Sequence, residues 1–257
     1  MKNRSSLVFL ILFLFFSPAP VSADNPGFEP GQGNSLALDE QASGDDSIYQ
    51  EPEVPGVEIA DPLEPWNRMM FSFNDKVYFW MFEPIARGYA HVVPKGGRVA
   101  VDNFFHNVLV PVRLVNAVLQ WKMGRAGIEL VRFGYNSTIG VLGFFDAAKR
   151  DLSFERNDED FRQTLGSYGI GNGFYILWPF LGPSSLRDTV GLVGDSFLNP
   201  VNYIRDGATL IGVRVFNQVN DLSLHLGEYE DMKAAALDPY TALRDAYAQY
   251  MKAHIEK

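Results

Sequence analysis

The stretch that most constrains the fold of this chain is DPLEPWNRMMFSFNDKVYFWMFEP, residues 61–84. Apolar side chains recur in it at steps of three and four residues, which predicts one face of a helix. That face comprises Trp66, Met69, Met70, Phe73, Val77, Trp80 and Met81. Further aromatic residues lie off it, namely Phe71, Tyr78, Phe79 and Phe82. A helix that is apolar nearly all round is either deeply buried or in contact with lipid. We expect Asp61 to cap this helix, with Pro62 and Glu64 in its first turn, and Pro84 to end it.

The first 23 residues predict a secretory signal peptide. Lys2 and Arg4 precede an apolar run from Leu7 to Phe16, and Ala23 ends a segment typical of a cleavage site. The apolar run is shorter than the roughly 20 residues that span a bilayer. We therefore expect residues 1–23 to be removed and the remainder to be exported.

Residues 24–60 predict a disordered acidic tether. Between residues 24 and 61 the chain has ten acidic residues, two aromatic residues and no Lys or Arg. Such a segment cannot bury enough apolar surface to offset the entropy of ordering it. The tether accounts for most of the net charge of −9, so the body, residues 61–257, is close to neutral. Because the body has no basic stripe, we expect no nucleic-acid partner.

The body predicts a single, mainly α-helical domain with little strand. Helical periodicity recurs over residues 99–108, 112–121, 125–139, 158–165, 186 onward, 210–226 and 239 onward. Ser185 and Asp238 are predicted helix caps, and the best strand signal is 174–178. No run in the body is long enough to cross a bilayer as a helix. The chain also has no cysteine, which excludes disulfides, thiol catalysis and acylation of a cysteine.

The glycine-rich stretch GSYGIGNG, residues 166–173, lacks the surroundings of a nucleotide-binding loop. No Lys follows the glycines, as a Walker A loop requires, and they lead into an aromatic run rather than a helix. Ser167 lacks the G-x-S-x-G setting of a hydrolase nucleophile, and the four histidines have no metal-ligand spacing. We expect no catalytic residue, no metal and no cofactor.

Five motifs in order along the body resemble the MlaA (VacJ) family. They are D-P-L-E-x-x-N-R at 61–68 followed by Phe73-Asn74, G-x-x-G-F-x-D at 140–146, T-L-G-x-Y-G-x-G-x-G at 164–173, P-F-x-G-P-S-x-x-R-D at 179–188, and D-P-Y with R-x-A-Y at 238–247. The resemblance covers residues 61–250. It implies a ring-shaped helical domain in the inner leaflet of the outer membrane, with an amphipathic central channel for phospholipid. It also implies association with a porin trimer, transfer of lipid to a periplasmic carrier, maintenance of lipid asymmetry, and no chemical reaction.

The resemblance also assigns roles to individual residues. Phe73 and Asn74 would hold the ring closed, although ordinary helix packing explains them equally well. A loop at the channel mouth would comprise Gly140, Gly143, Phe144 and Asp146, with its glycines allowing it to flex. The ring wall would include Tyr168, Gly169, Gly171 and Gly173, and residues 174–182 would offer an apolar face to lipid or to neighbouring helices. Arg187 and Asp188 are candidates for an ion pair, but helix capping by Asp188 is the preferred interpretation.

One departure from the family and two alternative functions follow from the same residues. Family members are typically lipoproteins, whereas here Ala23-Asp24 stands where their acylated cysteine would be. We therefore expect a protein on the periplasmic side of the outer membrane without acyl chains, held in the inner leaflet by aromatic side chains. A lipid hydrolase using Ser167 and a periplasmic structural protein remain the alternatives.

Overall fold

The structure, a computed structural model, describes residues 59–255. Its first helices are α1 (Glu64–Val77), α2 (Glu83–Val92), α3 (Lys95–Val108), α4 (Val110–Leu119), α5 (Met123–Thr138), α6 (Ala147–Leu152) and α7 (Phe161–Ser167). After the strands β1 (Tyr175–Trp178) and β2 (Gly182–Ser185) come α8 (Leu186–Leu198), a 3₁₀ turn (Pro200–Tyr203), α9 (Gly207–Leu224), α10 (Glu228–Ala235) and α11 (Pro239–Ile255). The predicted signal peptide lies outside the described residues, as does the predicted tether apart from residues 59 and 60.

The mainly α-helical fold with little strand is confirmed. The two strands of the described part form an antiparallel hairpin in which Tyr175 pairs with Ser185 and Trp178 with Gly182. The strand signal at 174–178 corresponds to β1, whereas β2, α2, α6 and α10 were not predicted. Within residues 59–255, no helix combines the length and the apolar character needed to cross a bilayer.

The predicted ends of the first helix are wrong. Pro84 does not end it, because a π-helical turn, Tyr78–Phe82, leads directly into α2, and Pro84 lies in the first turn of α2. Pro84 has no N–H group, so it donates no hydrogen bond to the carbonyls of that turn. Asp61 is not the cap either, since Leu63 occupies that position without a side-chain bond. The Asp61 carboxylate instead accepts hydrogen bonds from Asn67 Nδ2, at 2.7 Å, and from the Tyr240 hydroxyl.

Two other predicted caps are confirmed. The Ser185 hydroxyl accepts a hydrogen bond from the backbone N–H of Asp188 at the start of α8. Asp238 does the same for Tyr240 at the start of α11. The preferred capping role of the Asp188 side chain is wrong, because its carboxylate is buried and accepts from Arg187 Nε, at 2.8 Å, and from the Tyr247 hydroxyl.

The apolar core is a small cluster beneath the hairpin. It comprises Ile59, Tyr175, Leu177, Tyr240 and Ala248, with Met70, Phe71, Leu243 and Tyr247 packed around it. The hairpin thus joins α1 to α11, and Asn67 strengthens this junction by accepting from the Leu177 N–H at 2.8 Å. The other helices pack around polar side chains, α4 against α5 and α9 against both α2 and α3.

Candidate functional site

Charged side chains are buried in this protein while large apolar ones are exposed. Arg113 and Glu129 form a buried ion pair between α4 and α5 at 2.9 Å, and Arg132 pairs with Asp146 at the same distance. Among residues 59–255, six large apolar residues have at least 70% of their surface exposed, namely Trp80, Val92, Trp121, Phe197, Tyr203 and Leu237. A buried charge and an exposed apolar patch are the two informative departures from ordinary burial.

A polar cavity of about 140 Å³ opens between α3, α4, α8, α9 and the segment before α7. A single water needs roughly 10–15 Å³, so the cavity has room for a small polar group. Its charged and polar lining residues are Asp102, His106, Arg113, Asp158, Glu159, Asp160, Arg162, Asp195, Ser196, Asn199, Asn217 and Asp221. Its apolar lining residues are Phe105, Leu109, Val112 and Leu192.

Half of the six carboxylates in this lining have a Lys or Arg partner. Asp102 pairs with Arg156, Glu159 with Lys122 and Arg125, and Asp160 with Arg162. The ion pairs among residues 59–255 leave the other three acids, Asp158, Asp195 and Asp221, without such a partner. The cavity wall therefore has an excess of negative charge.

Burial sets the protonation behaviour of these three acids. Loss of hydration raises the pKa of Asp195 to about 7, with a further contribution from the charge of Asp160. Desolvation also raises the pKa of Asp158 and of Asp221, although nearby Arg113 opposes the change at Asp158 and His225 opposes it at Asp221. A positive charge placed in the cavity would favour the ionised form of all three.

His106 and Arg113 supply the remaining polar groups of the wall. The side chain of His106 is 10% exposed, with its Nδ1 3.8 Å from Asp158 Oδ1. Its Nε2 is buried without a hydrogen-bond partner among the described residues. Desolvation, reinforced by the charge of Arg113, lowers the pKa of His106 well below its ordinary value, so the imidazole is neutral. Arg113 donates its Nε to Glu129, and no hydrogen bond joins its terminal amino groups to another described residue.

An apolar cavity of about 230 Å³ lies between α1, the hairpin, α9, α10 and α11. An apolar cavity of about 150 Å³ takes up benzene, so this volume fits several methylene groups. Its lining comprises Phe71, Asn74, Val77, Tyr78, Phe82, Leu177, Phe180, Gly182, Pro183, Gln218, Leu222, Tyr229 and Leu243.

The two cavities share one helix. On α9, Asn217 and Asp221 line the polar cavity, while Gln218 and Leu222 line the apolar one. Residues four apart in a helix lie on the same face, so each of these two pairs occupies one face of α9. The second pair comes one residue after the first, which rotates its face to an adjacent side of the helix. The polar and apolar cavities therefore lie at the same level of α9, on neighbouring faces.

Phe73 and Asn74 hold the turn of the hairpin against α1. Asn74 Nδ2 donates to the Trp178 carbonyl at 2.9 Å, and Asn74 Oδ1 accepts from the Phe180 N–H at 2.7 Å. The ring of Phe73 packs edge-on against that of Phe180, with centroids 4.9 Å apart. Phe180 has φ +65°, an unfavourable conformation for an aromatic residue. Asn74 thus fixes a strained turn at the edge of the apolar cavity.

The predicted mouth loop, residues 140–146, connects α5 to α6. Phe144 stacks on Phe104, with centroids 5.0 Å apart. Asp146 caps α6 and accepts from Arg132 and Asn136. At Gly143, φ is +92° and a Cβ would lie 2.5 Å from the Asn107 side chain, so this position requires glycine. At Gly140, an added Cβ would lie 2.2 Å from the carbonyl oxygen of Phe145. The flexing of this loop stays a prediction.

The second glycine segment lies away from both cavities. Tyr168 is half-exposed, and its hydroxyl donates to the Leu119 carbonyl at 2.6 Å. Gly169 and Gly173 have positive φ, while Gly171 adjoins open space. The Ser167 hydroxyl donates to the Thr164 carbonyl within α7 at 2.8 Å. Two functions were envisaged for the apolar run after Gly173. Contact with lipid is wrong for Ile176, because its side chain is buried within the fold.

The comparison with known proteins decides the family. The sequence profile of the MlaA lipoprotein family matches residues 59–254. The chain belongs to the MlaA family.

Relatives of this MlaA-family chain come from several bacteria. An uncharacterized protein of Rickettsia felis is 31% identical over 202 residues, covering 78% of this chain and 80% of the relative. The intermembrane phospholipid transport system lipoprotein MlaA of Escherichia coli K12 is 31% identical, covering 74% and 76%. The protein of the same description in Haemophilus influenzae is 29% identical, covering 75% and 78%.

A solved structure has the same fold. It comes from work on the structural basis for maintenance of bacterial outer membrane lipid asymmetry. Its TM-score is 0.67 at 29% sequence identity, and the match covers 76% of this chain and 99% of the solved chain.

The charged cavity of this MlaA-family chain was missed from the sequence. His106, Arg113, Asp158, Asp195 and Asp221 come from separate segments, and no spacing connects them. A weaker signal was present, because Arg113 interrupts the apolar run VPVRLVNAVL and Asp195 interrupts GLVGDSFL. A charge within an apolar helix marks a side chain that needs a polar partner or a polar cavity.

Proposed function

We propose that this protein is the outer-membrane component of an intermembrane phospholipid transport system. It takes mislocalised phospholipid from the outer leaflet and passes it to a periplasmic carrier, which maintains lipid asymmetry without catalysing a reaction. The observation that carries this proposal is the pairing of a charged cavity with an apolar cavity on neighbouring faces of α9. A phospholipid has the same two parts, a charged headgroup and apolar chains.

In this proposal the polar cavity receives the headgroup. The terminal amino groups of Arg113 are the natural donors to a phosphate, because an arginine guanidinium binds phosphate through two parallel hydrogen bonds. Glu129 holds the Arg113 guanidinium from the other side through its Nε. The headgroup thereby leaves water at a site that already provides fixed charges, which offsets its loss of hydration.

The apolar cavity receives part of an acyl chain. Its lining from α1, the hairpin and α11 is fixed by the two hydrogen bonds of Asn74 and the ring contact of Phe73. We propose that this is how Phe73 and Asn74 keep the ring closed around a central channel. The loop with Gly140, Gly143, Phe144 and Asp146 would form the channel mouth, and the segment with Tyr168, Gly169, Gly171 and Gly173 part of the outer wall.

In this proposal, the exposed apolar side chains hold the body in the inner leaflet of the outer membrane. Burial of one large apolar side chain contributes about 1.5–3 kcal/mol, so a few residues such as Trp80 and Trp121 replace an acyl anchor. A porin trimer and a periplasmic lipid carrier complete the proposed set of partners. Anchoring by these apolar side chains requires no acylated cysteine, and the chain has none.

A lipid-transfer assay tests the proposal. Purified full-length protein is added to donor vesicles containing a fluorescent phospholipid and to unlabelled acceptor vesicles, and transfer is followed by loss of self-quenching. We expect the protein to accelerate transfer and Leu222→Trp, which fills the apolar cavity, to slow it about tenfold, because an acyl chain no longer fits. Val215→Trp is the matched control, since Val215 lies on an exposed face of the same helix. Unaccelerated transfer by the wild-type protein would refute the proposal.

A further inference from the structure

We propose that the polar cavity selects phospholipids whose headgroup carries a primary ammonium. This inference rests on the proposed function and specifies its substrate class. Three observations lead to it. Asp158 and Asp221 have no Lys or Arg partner among residues 59–255, the Nε2 atom of His106 is buried, and Arg113 lies in the same wall.

The charge of the cavity favours a cation. Asp158 and Asp221 face the cavity, and neither forms an ion pair with a Lys or Arg among residues 59–255. The ring of His106 lies 3.8 Å from Asp158, and that of His225 lies 3.5 Å from Asp221. Carboxylates in a partly buried wall are costly to keep ionised. A bound ammonium would offset that cost. The interaction of a cationic ligand with these carboxylates is therefore more favourable than the same interaction in water.

The distribution of the acids favours an organic cation over a metal ion. Within residues 59–255, no three His, Asp or Glu side chains converge closely enough to hold a metal. Asp158 precedes α7, whereas Asp221 lies on α9. Acids spread around a cavity of about 140 Å³ suit a larger group that donates hydrogen bonds in several directions, as an ammonium does.

His106 supplies the second and independent observation. Its side chain is nine-tenths buried and lines the cavity, and its Nε2 has no partner among the described residues. If the neutral imidazole has its proton on Nδ1, the atom that lies 3.8 Å from Asp158 Oδ1, then Nε2 is a hydrogen-bond acceptor. A primary ammonium can donate to this atom, whereas a quaternary ammonium has no N–H and a glycerol headgroup has no charge.

Arg113 completes the match to a zwitterion. It lines the same wall and acts electrostatically on both His106 and Asp158. A phosphate bound by Arg113 would place the ammonium of the same headgroup near Asp158 and His106. The cavity thus provides a cation for the phosphate and anions for the amine.

The experiment measures which lipids the protein extracts. Full-length protein is incubated with vesicles of equimolar phosphatidylethanolamine, phosphatidylglycerol and phosphatidylcholine with identical acyl chains, re-isolated, and its bound lipid is quantified by mass spectrometry. We expect phosphatidylethanolamine to exceed phosphatidylglycerol about tenfold and to exceed phosphatidylcholine as well, because only it satisfies both the acids and His106.

The variants Asp158→Asn and Asp221→Asn should each lower the excess over phosphatidylglycerol to about threefold or less, because each removes one negative charge from the wall. Glu155→Gln is the control, since Glu155 is exposed, pairs with Lys149 and lies outside the cavity. Bound lipid that mirrors the vesicle composition, or a preference retained in both Asn variants, would overturn this inference and leave the proposed function intact. Absence of any bound lipid would overturn both.

Discussion

On α4, Arg113 is 6% exposed, whereas Trp121, two residues beyond the end of that helix, is 80% exposed. The same contrast extends through the molecule, with Glu129, Arg132 and Asn116 inside and Trp80 and Phe197 outside. In water, the hydrophobic effect would favour the opposite arrangement. This difference supports the proposal that the exterior contacts an apolar surrounding and that the interior binds lipid headgroups.

The largest expected effect on stability comes from removing a buried charge. Arg132, 3% exposed in its side chain, donates to both oxygens of Asp146 and to the Phe154 carbonyl. We expect Arg132→Met to lower the free energy of unfolding by about 3–5 kcal/mol, because Asp146 loses its main partner.

The matched exterior change is Arg150→Met. Arg150 pairs with its neighbour Asp151, but its side chain is 65% exposed. An exposed pair contributes about 0–1 kcal/mol, so this variant should differ little from the wild-type protein. Urea unfolding followed by circular dichroism compares the two, and equal losses would show that interior charge has no special structural role.

The second prediction uses pH to probe the interior. Burial raises the pKa of Asp195 from its ordinary value of 3.8 to about 7. Between these two values the unfolded chain has released the Asp195 proton while the folded protein retains it. Stability contributed by this group is therefore present below pH 4 and lost as the pH rises to 7, by roughly 2–4 kcal/mol.

Asp195→Asn should remove this pH-dependent contribution to stability, because an amide does not titrate. The variant keeps the local hydrogen bonds, since an amide oxygen still accepts from the Phe161 N–H and from Asn116. We expect the variant to be more stable than the wild-type protein at pH 7.5 and to lose most, but not all, of that advantage at pH 5. Urea midpoints at the two pH values provide the measurement. An advantage that is independent of pH would mean that Asp195 is ionised in the folded protein.

The third prediction compares the two glycine loops. Gly143 has φ +92° and lies against Asn107, whereas Gly171 adjoins open space. We expect Gly143→Ala to cost about 1–3 kcal/mol, because it combines an unfavourable backbone conformation with a clash. Gly171→Ala should change stability by less than about 0.5 kcal/mol. Thermal unfolding of both variants would distinguish a loop fixed by interior contacts from one that is free of them.

These residues also show what the sequence could and could not predict. Ser185 was predicted correctly as a cap because its partner, Asp188, is three residues away. Pro84 was misread because the π-helical turn before it depends on packing against the rest of the fold. Asn74 was assigned a role only by resemblance, since its partners Trp178 and Phe180 lie more than 100 residues away. The charged cavity draws on five segments, so only the tertiary structure assembles it.

Quenching of tryptophan fluorescence by brominated lipid tests the central claim most directly. Two single-tryptophan proteins are reconstituted into vesicles whose acyl chains carry bromine, one retaining Trp121 and the other Trp178. Trp121 is 80% exposed, whereas Trp178 is only partly exposed and its Nε1–H donates to the Thr189 hydroxyl. If the exterior contacts acyl chains, bromine will strongly quench Trp121 and leave Trp178 nearly unchanged. Equal quenching of the two, or none at Trp121, would contradict the account.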